Sequence, residues 1–544
     1  MATLAELLNK IGFRIPKPVK AAFFTALIVG FIAHVPAMTN HFLNHDSVLY
    51  TLVDPNDTLS LQQGKWLHLI AKRFIQGDLT TAGIIIPLML LFLALTAALT
   101  VSVLNIQSQL WSSAIGCFSV LFPSVMSANI YLASAVFFFA LLLATLAVFF
   151  TDLWKHGYLI ATVLLTLSCG IYSVFIGYAA GLYIVLLLLG LMDKTHSPKT
   201  ALFKGVKYLA ILAASAILYF LILKLALNSS NLSLSIYRGI NNVGSFSAES
   251  IFVNALESYR RVLYFFAYGI FLYDGYFRVE PLFIYLNWAT MFLAAAFSFG
   301  CAMKRQLYRN VFHVLLIVML VLIFPFAIHA IGILGQNANT HWIMVYPFVL
   351  VYIFMASSAD RAETVFNYKS IGIVTTKKSI RIILRVGTIC ALAVSILLAR
   401  QWFFTTNQAY TYMRYADATT YSAGVMLVND IQNAEGYSEN TPIVFAGISA
   451  PVAFQYDTHD FALVKGSNGR GYTGVNKPIS ENYRLQVFLR NWIGVAFDYA
   501  DTDTTEHILS TADVVAMPIY PAHGSIKLID ECLVVKLSEV AAAD

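Results

Sequence analysis

Charge is what this sequence has least of. Of its 544 residues only 12% are charged and 58% are hydrophobic, whereas soluble domains carry about 25% charged residues. A water-soluble fold is excluded. Cysteine is scarce as well: Cys117, Cys169, Cys301, Cys390 and Cys532 have no CxxC or metal-ligand spacing, and four of them lie in apolar runs. We read them as core residues, not as a disulfide framework or a zinc site. No GxxxxGK[ST], HExxH or GxSxG occurs, which removes support from ATP-driven transport and the common hydrolase chemistries. A net charge of +6 without a long basic run leaves no footprint for nucleic acid.

What is abundant is apolar sequence in runs of bilayer length, about 20 residues each. Segments near 21–38, 82–104, 111–127, 130–151, 157–172, 174–192, 207–227, 281–301, 311–334, 342–358 and 386–403 predict a polytopic α-helical membrane protein with about eleven crossings. Val35, Pro36 and Ala37 match a signal-peptidase site only weakly, so the first helix is expected to be retained. Loop charge tests the parity. With the N-terminus inside, inner loops receive Lys155; Lys194, Lys199, Lys204 and Lys207; Lys304, Arg305 and Arg309; and Arg361, Lys369, Lys377, Lys378, Arg381 and Arg385. The outer side receives loops 39–81 and 228–280, the turn 335–341 and everything after 403. The pair 157–172 and 174–192 is where this parity is most exposed to error.

Past residue 403 charge returns and apolar runs shorten. "TPIVFAG" (441–447), "DVVAMPIY" (513–520) and "CLVVKLS" (532–538) read as buried strands, and "YSAGVMLVNDIQN" (421–433) has helical spacing. A transmembrane domain, 1–403, is therefore expected to carry a small α/β extracytoplasmic domain, 404–544. The polar residues of that domain, among them Asp457, His459, Asp460, Lys465 and Arg470, form no recognisable catalytic set.

The first outer loop is more polar than a connector requires: Asp46, Asp54 and Asp57 are followed by Lys65, His68, Lys72 and Arg73. Leu49, Tyr50 and Val53 fit a short helix after Asp46, and Leu61, Trp66, Leu69, Ile70 and Phe74 a second one in the interface. Asp46 and Asp57 fit helix N-caps, Ser60 with Gln63 fits a capping box, and Lys72 fits a side chain that snorkels to headgroups. The same groups also suit sugar transfer from a polyprenyl phosphate. A hydroxyl nucleophile needs a carboxylate base, and the departing phosphate needs cations. Both readings stand on sequence alone. Arg260, Arg261 and Arg278 lie in the second outer loop amid aromatics that anchor at interfaces; guanidinium groups match phosphate bidentately. Asp274 is their partner or a second acid. In "GQNANTHW" (335–342), Gln336, Asn337 and His341 either hold sugar hydroxyls or serve the turn; His341 has no spaced partner for a metal.

The Asp-containing first loop followed by "QGKWL" (63–67), the run "LSCGIYSVFIGYAAGLYIVLLLL" (167–189) and the ending "AMPIYPAHGSIKLIDECLVVKLS" (516–538) resemble the Gtr-type, serotype-converting phage-type O-antigen glucosyltransferases. The resemblance runs over nearly the whole chain. It implies a GT-C-like inverting enzyme of the bacterial inner membrane that takes glucose from undecaprenyl phosphate glucose to O-antigen or a related surface glycan, on the periplasmic face. By that similarity Asp46 is the base, with Asp54 or Asp57 second. Lys65, Arg73, Arg260, Arg261 and Arg278 would bind the donor phosphate. His45, Trp66, Asp274, Gln336, Asn337 and His341 would hold sugar or acceptor. Relatives often have Gly-Arg-Trp where this chain has Gly64, Lys65 and Trp66, and Lys keeps the charge but loses the fork. His45-Asp46 stands where relatives can carry paired acids, so no obligatory metal or other cofactor is expected; a divalent cation would find oxygen ligands in Asp54 or Asp57.

A flippase of lipid-linked sugar is the main competing reading, opposed by the few charges within the spans and by the one-sided α/β domain. A polyprenyl-sugar transferase with another acceptor, such as lipid A, differs only in what it modifies. A surface receptor would leave the charged first loop without a purpose.

Overall fold

The computed structural model describes residues 15–40, 42, 47–49, 57–78, 80–130, 132, 134–153, 155–235, 248–273, 275–278, 281–334, 342–366, 378–447, 479 and 481–540. Its helices, in chain order, are α1 Lys17–Thr39, α2 His68–Gln76, α3 Ala82–Val103, α4 Gln109–Leu121, α5 Pro123–Ile130, α6 Ser134–Thr151, α7 Gly157–Tyr172, α8 Ile176–Met192, α9 Pro198–Ser229, α10 Ala248–Tyr268, α11 Pro281–Lys304, α12 Val311–Ile328, α13 Val349–Val365, α14 Lys378–Gln432, α15 Asn482–Phe488, α16 Thr502–Leu509 and α17 Ala512–Ala516. Among the described residues, ten helical stretches are long and apolar enough to cross a bilayer. The chain is a polytopic helical membrane protein. This follows from backbone chemistry, since lipid offers N–H and C=O groups no partner outside the helix itself.

One of the ten stretches, Gly157–Met192, has 36 residues and as a single rod would measure about 54 Å, against a hydrocarbon core of about 30 Å. It is not a single rod. Tyr172 takes an extended backbone (φ −157°, ψ 100°) and Ser173–Phe175 form a 3₁₀ turn. The two ends of the stretch share one neighbour, because the His196 ring lies within electrostatic reach of both Asp152 and Asp193. The chain therefore doubles back at Tyr172, and α7 and α8 form a hairpin.

The end of the bundle where α6 meets α7 and α8 meets α9 is rich in ion pairs. Asp152 accepts hydrogen bonds from Lys207 (2.8 Å), Lys204 (3.0 Å) and Tyr208 (2.6 Å); burial opposes its ionisation, but these bonds outweigh it and hold the carboxyl down at about 2. Asp193 pairs with Arg361 (2.8 Å) and Arg305 (3.5 Å). Helix ends expose unpaired backbone groups, and here charged side chains cover them. The Asp360 carboxylate accepts the N–H groups of Gln107 (3.2 Å) and Ser108 (2.8 Å) just before α4. Arg361 donates to the carbonyls of Leu104 (2.6 Å) and Asn105 (3.0 Å) just after α3.

At the opposite end α14 leaves the bundle without a break. Its 55 residues run about 80 Å, so the expected crossing at 386–403 and the expected helix at 421–433 are one element. The apolar period persists because the bundle-facing stripe of Ala391, Leu398, Trp402 and Met413 continues into the domain-facing one of Leu427 and Ile431. Beyond it lie β3 Ile443–Ala446, β4 Ile526–Ile529 and β5 Cys532–Lys536, in the order β3-β5-β4, with β3 parallel and β4 antiparallel to β5. Alternation decides which face each residue serves: Ile443 and Phe445 pack with Leu427 and Ile431 of α14, while Val444 and Ala446 pack with Ile508, Val514 and Met517. A separate hairpin, β1 Ile270–Tyr273 with β2 Gly275–Arg278, follows α10.

Three expectations are corrected. "DVVAMPIY" is not a strand: residues 512–516 form α17, with an acidic Asp513 in its first turn, where a carboxylate favours a helix. The buried Lys536 ammonium closes its far end by donating to the carbonyls of Val515 and Met517, each at 2.7 Å. Cys390 is exposed on the side of α14, whereas Cys169, Cys301 and Cys532 are buried as expected. The helix 59–62 carries no Ser60–Gln63 capping box; Ser60 instead donates to Asp57 at 2.9 Å. Since Arg361 is 8% exposed and binds two carboxylates and two carbonyls, Arg361→Ala should cost about 3–5 kcal/mol. Thermal unfolding in detergent should show a midpoint several degrees lower, with Asp193→Asn less severe.

Candidate functional site

The ten residues "HFLNHDSVLY" (41–50) contain the first candidate acid. Phe42 and Ser47, which flank the run 43–46, are joined: the Ser47 hydroxyl donates to the Phe42 carbonyl at 3.3 Å. Phe42 is buried and stacks on Tyr410 of α14, ring centroids 5.5 Å apart. The Tyr410 hydroxyl is itself fixed by His34 Nδ1 (2.6 Å) and by the Asn129 amide, which donates to it at 2.9 Å. Residues 47–49 form one 3₁₀ turn, shorter than the helix expected after Asp46. His45, Asp46, Asp54, Asp274, Gln336, Asn337 and His341 lie outside the described residues.

The second part of the loop builds a cationic group on the end of the α7–α8 hairpin. Gly64 adopts φ +79°, a conformation that costs other residues strain, and its carbonyl accepts from Tyr219 at 2.8 Å. The Leu67 N–H donates to the Gly170 carbonyl at 2.9 Å. Trp66 lies flat against Gly170, where a Cβ would come within 2.5 Å of the indole. Lys65 donates to Gln63 Oε1 at 2.9 Å, and its ammonium sits 6.0 Å and 5.9 Å from the ring centroids of Phe137 and Tyr172, a cation–π arrangement.

His68 and Lys72 complete this group. Burial first, then the Lys65 and Lys72 charges, push the His68 imidazole down to about 3, against a hydrogen bond to the Ile171 backbone. Burial also lowers Lys72, with Asp57 acting the other way; it is half-buried beside charges and does not simply snorkel. Asp57 accepts from the Leu59 N–H (3.0 Å) and the Ser60 hydroxyl, so it serves the start of a helical turn, one of the two roles its sequence allows. Ile70 and Phe74 on α2 are exposed, as an interfacial helix requires.

The arginines are distributed differently. Arg73 pairs with Asp78 at 3.1 Å on an exposed surface. Arg260 (2.9 Å) and Arg261 (3.1 Å) share the carboxylate of Glu257, which leaves one net positive charge on the three. Arg278 ends β2, paired in register with Ile270. Beside Arg261, His329 is pushed down to about 3 by burial and then by that charge; its Nδ1 lies 2.7 Å from Ser258 Oγ. Ala330, the next residue, packs on the apolar cluster on which Trp66 also packs, so the two cationic groups border one apolar cluster.

Asp57, Lys65 and Trp66 are thus brought together, and Arg260 with Arg261; Arg73 stands apart. His68 and Lys72, to which the sequence assigns no separate site role, join the first group, and Glu257, Ser258 and His329 join the second from outside the candidates. Lys65, His68 and Lys72 are spaced i, i+3 and i+7, the period of one helical face, and that signal was available. Nothing in the spacing pairs Ser258 with His329, 71 residues apart. In this group the buried Trp66 Nε1 and His68 Nδ1 have no hydrogen-bond partner, and such groups are costly unless something satisfies them. Among the described residues no three His, Cys, Asp or Glu side chains are grouped to hold a metal ion.

A neutral His68 binds fewer protons in the folded than in the unfolded chain. Stability should therefore be full above pH about 6.5 and decline as pH falls from there toward about 3. Thermal unfolding followed between pH 7.5 and 5 should show this decline, and it should be shallower in His68→Asn. A family model described as Glucosyl transferase GtrII matches residues 35–354, a range that takes in every candidate residue named above. No curated protein and no solved structure matches the chain.

Proposed function

The chain belongs to the GtrII glucosyl transferase family, and from that premise we propose that it moves glucose from undecaprenyl phosphate glucose to O-antigen or a related surface glycan, with inversion. The match over residues 35–354 carries this reading, because it spans the acid-bearing first loop and the cations of both outer loops together. We place the reaction on the periplasmic face of a bacterial inner membrane, with the N-terminus cytoplasmic. The Lys- and Arg-rich ends of α9, α11 and α13 would then lie inside, as loop charge favours. Counting the α7–α8 hairpin as two passes gives eleven crossings, which carries residues 404–544 outside as a second domain.

In this mechanism Asp46 takes the proton of the acceptor hydroxyl as it attacks the anomeric carbon. Asp54 is the alternative base. Asp57 is less suited, because its carboxylate already accepts two hydrogen bonds at the start of a helical turn. Lys65 and Lys72 meet the charge that develops on the departing phosphate. Arg260, Arg261 and Arg278 lie in the second outer loop, where they would hold the phosphate or its lipid-linked neighbours. Trp66 offers an apolar face and an unpaired N–H to a sugar. His45, Asp274, Gln336, Asn337 and His341 remain proposed sugar or acceptor contacts. Arg73 has its own carboxylate and a smaller part.

Membranes containing the protein, supplied with radiolabelled undecaprenyl phosphate glucose and O-antigen, should transfer label to the glycan. Asp46→Asn should abolish transfer without lowering expression, and Lys65→Ala should lower it by about 10²-fold, the scale of losing one preorganised charge. Full transfer by Asp46→Asn would remove that residue as base. Movement of labelled lipid across the membrane with no transfer to any acceptor would make the protein a flippase.

A further inference from the structure

Val48 lies four residues beyond Asn44 in the first outer loop, yet it is 0% exposed and belongs to the core of the domain that follows α14. That core also holds Leu427 and Ile431 of α14, Leu485 and Phe488 of α15, Phe445 of β3 and Leu533 of β5. The Trp492 indole N–H donates to the Val48 carbonyl at 3.1 Å, across 444 residues of sequence. A loop residue in so complete a burial is part of the domain it enters. On its other side the run 43–46 is flanked by Phe42, which is held on Tyr410 where α14 leaves the bundle.

We propose that the outer domain is part of the catalytic apparatus, with Val48 and Trp492 as positioning residues that fix the first outer loop for the transfer reaction. The proposal rests on the reading of that loop as the carrier of the base. It assigns the domain a role that its own polar residues do not disclose: it receives a hydrophobic anchor instead of binding glycan through a catalytic set. Both Phe42 and Val48 are tied to α14, since Tyr410 is on that helix and Leu427 and Ile431 are about five turns or more further along it. One continuous helix thereby sets the separation between the membrane anchor and the domain anchor. Gly424 helps by letting Phe488 approach; a Cβ there would lie 2.7 Å from the ring. A rigid helix between two fixed points suits a reaction in which small displacements of a catalytic group are expensive.

Steady-state kinetics on the full-length protein in lipid, with undecaprenyl phosphate glucose and O-antigen as probes, tests this. Val48→Ala should lower kcat about 10–100-fold, the cost of a misplaced group, with the KM of donor and acceptor changed by less than about twofold. Val48→Ile should restore most of the rate, and Trp492→Phe should show a smaller loss of the same kind. Limited proteolysis of the same samples should find the outer domain as resistant as in the parent chain. An unchanged kcat in Val48→Ala, a change confined to acceptor KM, or a loss of rate matched by digestion of the domain would overturn the proposal. Absence of transfer by the parent chain would instead remove the transferase reading beneath it.

Discussion

The side chain of Val48 sits in the core of a domain whose nearest sequence neighbour to it is almost 380 residues away, at Leu427. Fully burying a valine contributes about 1.5–3 kcal/mol, and here that contribution is obtained only if the membrane bundle, α14 and the outer domain hold their mutual positions. Phe42 on Tyr410 supplies the other fixed point, and the polar trio His34, Tyr410 and Asn129 keeps that ring in place. The polar run between them is thereby framed by two apolar contacts. A loop without such anchors would spend its binding energy on becoming ordered.

Charge is sorted with the same economy. Where α3, α8 and α13 end and α4 begins, Asp193, Arg305, Asp360 and Arg361 satisfy each other and the exposed helix termini. At the other end of the bundle the Lys65 and Lys72 ammonium groups gather around the neutral His68, and among the described residues Asp57, which is committed to a helical turn, lies within electrostatic reach of Lys72. The first arrangement is what a protein needs to stand in a bilayer. The second, with Trp66 Nε1 and His68 Nδ1 beside it, is the group that the proposed donor phosphate would meet.

Much of this is legible in the sequence for simple reasons. Long apolar runs can only be helices in lipid, and the placement of Lys and Arg separates the two ends of the bundle. Even the reversal at Tyr172 is implied, because a run of 36 residues is too long for one pass. What the sequence hides is non-local. Nothing in "HDSVLY" says that Val48 leaves its own loop for a domain beyond residue 420, and β-branched residues made 513–520 resemble a strand although Lys536, from β5, closes it as a helix. The site is legible to the same degree: the residue types are present, but Glu257 beneath two arginines and Asp78 beside Arg73 change how much charge each candidate offers.

Amide hydrogen exchange on the intact protein in lipid nanodiscs reads directly whether Phe42 on Tyr410 and Val48 in the outer domain hold the first outer loop at both ends. Residues 47–49 should exchange on the slow timescale of β5, Cys532–Lys536, as parts of one cooperative unit. Rapid exchange at 47–49 while β5 stays protected would contradict the account.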